Sequence, residues 1–91
     1  MVWGLKGWTS VEHSLFAAQL WDLRASLERQ LRCLTTIQQA HGAFRRSADQ
    51  TERHDIKGNI VRDLNDIRDI SNAVSSTLAD ALRQADVELS I

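Results

Sequence analysis

Proline is absent from all 91 residues, so no position is barred from a helix by a locked ring or a missing amide. Cysteine occurs once, at Cys33, which excludes an intramolecular disulfide and with it the stapled secreted miniprotein class. Cys33 instead reads as a small semi-buried hydrophobe in a reducing compartment. Nowhere do about 18 apolar residues run together, so no membrane span is predicted, and the N-terminus lacks the uninterrupted apolar stretch of a signal peptide. A cytoplasmic location is expected, with secretion through a dedicated apparatus as the other route. The formal net charge of −1 supplies no global basicity for nucleic acid; Arg24, Arg29, Arg32, Arg45 and Arg46 could form only a local basic edge.

What the chain does have is apolar periodicity. Phe16, Leu20, Leu23, Leu27, Leu34, Ile37 and Phe44 fall on alternating four- and three-residue steps, interrupted by Gln30 and His41, which marks one face of one long helix. Ile60, Leu64, Ile67, Val74, Leu78 and Ala81 repeat the pattern, with Ile56, Ile70 and Leu82 widening the stripe. Two comparable amphipathic helices predict an all-α antiparallel hairpin. Residues 1–46 carry six basic and three acidic side chains, and 47–91 carry five basic and nine acidic, an asymmetry that favours this pairing. Two helices cannot enclose a filled interior, so dimerisation or a helical partner is expected to complete a four-helix arrangement.

The whole chain reads as a single helical domain. Residues 1–8, with Trp3 and Trp8 among two glycines, suit a non-helical arm. Thr9 and Glu12 match a capping box, predicting helix one over about 10–43. Gly42, followed by Phe44, Arg45, Arg46 and the polar run Ser47 to Thr51, is the expected reversal; Ser47 with Gln50 offers a second capping box, opening helix two over about 48–88. A cluster of weak helix formers around Ser71 is the place where helix two could break, turning the hairpin into a three-helix bundle.

Function is less legible. His13 and His41 are too far apart on one helix to share a metal, so no metal and no cofactor is expected. No serine, histidine and acid set has supporting context, and no glycine loop cradles phosphate. An enzyme is therefore not expected. Trp21 lies off the stripe beside Ser14, Ala18 and Ala25; with Trp3 and Trp8 it forms a candidate partner surface. The stripe and this patch predict a protein–protein interaction module: an adaptor, assembly subunit or small partner of another protein. A small inhibitor or antitoxin-like partner would use the same surfaces.

One string points elsewhere. His54-Asp55-Ile56-Lys57-Gly58-Asn59 resembles the histidine phosphotransfer signature, carried on one helix of a four-helix bundle. The resemblance implies His54 as phosphoacceptor, Lys57 as the neighbouring charge that stabilises phosphate, and Gly58 as clearance for a docking receiver domain. Thr51, Glu52 and Arg53 stand before it where that family is usually apolar, so phosphotransfer is the alternative to the binding reading. Paired helices of this length also resemble secreted Trp-x-Gly hairpin proteins, whose turn motif appears nowhere in this chain.

Overall fold

The computed structural model describes residues 14–90, which form two helices, α1 (Leu15–Arg46, 32 residues) and α2 (Gln50–Glu88, 39 residues), packed antiparallel. The expected all-α hairpin is the observed fold. At 1.5 Å per residue the helices are about 48 and 58 Å long. The proposed arm over residues 1–8, the Thr9–Glu12 box and His13 lie outside the described residues.

Two boundary expectations are corrected. The described part of helix one begins at Leu15, with Ser14 as its N-cap: it is extended (φ −70°, ψ 148°) and its Oγ accepts from the Ala17 amide at 3.0 Å, while the expected start near residue 10 lies outside the described residues. The reversal is Ser47–Asp49, within the polar run of the expected stretch, whereas Gly42 lies inside α1 without positive φ. Asp49 rather than Ser47 opens α2, its Oδ1 accepting from the Thr51 and Glu52 amides at 2.9 and 3.3 Å. Ser47 closes α1 instead, its amide donating to the Ala43 carbonyl at 3.0 Å while its hydroxyl accepts from Asp49. Arg45 and Arg46 in the last turn of α1 complement its exposed carbonyl end.

α2 runs unbroken through Ser71, so the three-helix alternative is not adopted. The polar cluster there is only weakly unfavourable to helix, by tenths of a kcal/mol per residue. Ile67, buried Ile70 and Val74 pack against α1 on either side of it, and the Gln30 side chain donates to Ser71 Oγ at 2.6 Å and to the Ile67 carbonyl at 3.3 Å. Packing and a cross-helix hydrogen bond together outweigh so small a local preference.

Arg53 locks the turn end. Its Nη1 donates to the carbonyls of Phe44 and Ser47 at 2.8 and 2.9 Å, and its guanidinium lies 3.9 Å from the centre of the Phe44 ring. One side chain from the second turn of α2 thereby satisfies carbonyls at the end of α1 that have no partner within their helix. At the opposite end Glu88 Oε2 accepts from the Phe16 amide at 2.9 Å and from Gln84 at 2.8 Å, so a carboxylate of α2 caps the N-terminus of α1.

Candidate functional site

The residues that turn inward follow a strict heptad. In α1 they are Phe16, Gln19, Leu23, Ser26, Gln30, Cys33, Ile37, Ala40 and Phe44; in α2 they are Arg53, Ile56, Ile60, Asp63, Ile67, Ile70, Val74, Thr77, Ala81 and Gln84. Steps alternate between three and four, the spacing of helices packed along a coiled-coil seam. Among the described residues only Ile70 and Ala81 are buried. The seam is lean: half of the α1 contributions are small or polar.

Of the sequence-derived stripe, Phe16, Leu23, Ile37, Ile60, Ile67 and Val74 lie in this seam. Leu20, Leu27, Leu34, Leu64 and Leu78 do not; they are 45–53% exposed. Each helix is rotated by about 50° from the orientation that would bury them, half of the 100° between successive residues. The periodicity could not decide this, because each apolar stripe is wide enough to contain two overlapping heptad phases. Ile56 and Ile70 of the second phase, with small residues opposite, let the helices approach closely.

The consequence is a second apolar surface. Taking Phe16 and Ile60 as equivalent a positions, Leu20, Leu27 and Leu34 of α1 and Leu64 and Leu78 of α2 are all e positions. In an antiparallel pair the e positions of both helices flank the same side of the seam. Leu31, Val61 and Leu82, at the adjoining b positions, extend that side, and all three are exposed. The contacts agree on this sidedness: Phe44, Arg53, His54 and Lys57 line one shallow hollow near the turn, while Ala43, Arg46, Ser47 and Glu52 line another. Gln30 and Ser71 sit at the middle of the leucine side.

The opposite side is polar. It presents Asp22, Arg29, Arg32 and Arg46 from α1 and Asp55, Arg62, Asp66, Asp69, Asp80 and Arg83 from α2. Arg62 pairs with the seam carboxylate Asp63 at 3.5 Å, and Arg83 pairs with Asp80. Apart from exposed Leu15 and Val87 at the open end of this side, one face of the hairpin is therefore greasy and the other solvated.

Trp21 is exposed, as expected for a position off the stripe, and lies beside the leucine side with the Arg24 guanidinium 5.6 Å from its ring centre. Arg24 is itself paired with Glu28 at 3.0 Å. Trp3 and Trp8, its suggested companions, lie outside the described residues. His54 and Lys57 are exposed near the turn on the leucine side, and a Cβ built on Gly58 meets nothing within 4 Å. His41 is exposed as well, not a partly buried seam residue. Cys33 is half-buried.

Sequence reasoning missed Arg53, which a run of charged residues disguised, and Glu88, whose role depends on a residue 72 positions away. Burial of the charged form does not set the behaviour of Glu88. The Phe16 amide that it accepts from, aided by Gln84 and Ser14, holds its carboxyl below the usual carboxylate range.

Among the described residues no group of three or more histidine, cysteine, aspartate or glutamate side chains could hold a metal ion, and no helix is long and apolar enough to cross a membrane. No known protein family, curated protein or solved structure matches this chain.

Proposed function

We propose that this hairpin is a helical protein–protein interaction module whose working surface is the leucine side, and that binding there completes a four-helix arrangement. The observation that carries this reading is the segregation of Leu20, Leu27, Leu31, Leu34, Val61, Leu64, Leu78 and Leu82 onto one side while the seam makes do with smaller residues. The side spans roughly 30 Å along the hairpin and about 20 Å across two helix widths, an apolar patch of about 600 Å². That is at the upper end, about 600 Å², of the largest patch on a typical lone protein, and such patches are often binding sites. Covering eight half-exposed aliphatic side chains contributes about 8 kcal/mol per chain at roughly 1 kcal/mol each. From both partners together that is enough to offset an association cost of about 4–15 kcal/mol.

Trp21 and Arg24, beside the leucine side, extend the contact surface with an aromatic anchor. Two measurements test the reading: the mass of the particle in solution by light scattering, and recovery of bound protein from the native source. Leu64→Asp is expected to lower both relative to wild type. Equal mass and equal recovery for the variant would remove the leucine side from the proposal.

A second reading has its own observation. His54 and Lys57 are exposed together, and Gly58 has open space around it, an arrangement compatible with a docked receiver domain. Its test is acid-labile phosphate on His54 after incubation with a phosphorylated receiver, lost in His54→Gln.

A further inference from the structure

We infer that the occupant of the leucine side is a second copy of this chain, laid face to face with its turn at the opposite end, the two-fold axis crossing at the level of Leu27 and Ser71. This rests on the interaction reading above and goes beyond it by naming the partner and its orientation.

The first ground is that each helix carries a palindrome. Leu20 and Leu34 stand seven residues on either side of Leu27, and Leu64 and Leu78 stand seven residues on either side of Ser71. Val61 and Leu82 lie ten residues before and eleven after Ser71. A two-fold axis perpendicular to the hairpin places each residue against its mirror position in the same helix of the other copy, as an isologous contact requires. Leu20 then meets Leu34, Leu64 meets Leu78, and Leu27 meets its own equivalent.

A single axis can serve both helices only if the two centres lie at one height. They do. Gln30 donates to both Ile67 and Ser71, which sets residue 30 opposite about residue 69. Leu27, three residues earlier, then lies opposite about residue 72, within about 2 Å of Ser71 along the axis at 1.5 Å per residue. The polar pair Gln30–Ser71 falls near the centre of the row of e-position leucines, where it penalises shifted registers.

Charge selects the orientation. On the leucine side His54 and Lys57 lie 17 and 14 residues before Ser71, and Asp86, beside that side, lies 15 residues after it. With turns at opposite ends, His54 and Lys57 of one copy lie near Asp86 of the other at both ends. With turns together, Arg45 and Lys57 of the two copies would be gathered at one end. The area also suffices: about 600 Å² from each copy gives about 1,200 Å², the lower end of specific interfaces.

Three measurements on the full chain decide the matter. Light scattering is expected to give twice the 10.3 kDa chain mass. Leu27→Asp is expected to abolish the dimer, since the axis brings its two carboxylates together, and Leu27→Lys to do the same. Mixing the two variants is expected to restore it, with circular dichroism confirming that each remains helical alone. A spin label on Thr51→Cys in a Cys33→Ser background is expected to report a separation of about 60 Å between copies, twice the 20-residue distance to Ser71 at 1.5 Å per residue. A label on Asn72→Cys is expected to report a short one.

Short distances at both sites, or no rescue on mixing, would overturn the orientation and the inference with it. A monomer would overturn the second-copy assignment. If that monomer still captures another protein through Leu64, the interaction reading survives alone; if Leu64→Asp changes nothing, both fall.

Discussion

The seam between the helices and the leucine side beside it are built from different residues, though they share a heptad. Isoleucine, alanine, serine, cysteine and glutamine fill most of the seam; leucine dominates the other. Small and β-branched side chains permit close helix approach with little rotamer freedom lost, whereas leucines are the larger apolar payload. The chain thus holds its hairpin with modest contacts and leaves its greatest potential for burial outside. On the proposed reading, its stability as a lone molecule and its association with a partner are carried by separate residues.

The largest expected effect separates these two roles. Ile70→Asp, which puts a carboxylate at a buried position of the seam, is expected to cost several kcal/mol and abolish helical folding by circular dichroism. Leu64→Asp is expected to preserve helicity under conditions where the parent hairpin is stable alone, and to lower only the particle mass. If Leu64→Asp unfolds the isolated chain while Ile70→Asp leaves it helical, the assignment of the two surfaces is reversed.

Next in size is the turn lock. Arg53→Ala removes both hydrogen bonds to the end of α1 and the stacking on Phe44, and is expected to cost about 2 kcal/mol in denaturant unfolding. Asp49→Ala removes the N-cap of α2, and about 1 kcal/mol is expected by the same measurement. Equal and negligible effects at both positions would show that association, rather than the turn, holds the helices together.

The smallest expected effect is at the open end. Because the folded state holds the Glu88 carboxyl below its ordinary value, its contribution is present above that ordinary value and is lost as pH falls through the lowered one. Acidification through the lower carboxylate range is therefore expected to raise hydrogen exchange at Phe16. Glu88→Gln should flatten that dependence, and an unchanged profile in the variant would detach Glu88 from the cap.

Fold and site were not equally legible. The hairpin could be read from the absence of proline and two long apolar periodicities, with the end of α2 placed near Glu88. Asp49 displaced the expected Ser47 cap because neighbouring Ser and Asp residues have similar capping ability, and backbone direction chooses between them. Gly42 seemed a natural turn, yet the chain keeps it helical and reverses at Ser47–Asp49, where Arg53 collects the free carbonyls. Histidine spacing could suggest that His41 was partly buried; its exposure depends on the rotation of α1.

Residue order alone determined that two long amphipathic helices form, since 3.6-residue periodicity and the lack of breakers are local properties. It could not determine which edge of each wide apolar stripe faces the other helix. That choice was decided by tertiary packing: Ile56, Ile60, Ile67 and Ile70 settle against the small residues of α1, Gln30 reaches Ser71, and a rotation of half a residue turns the leucines outward. Such a rotation changes no local conformational energy, so only contacts between the helices could set it.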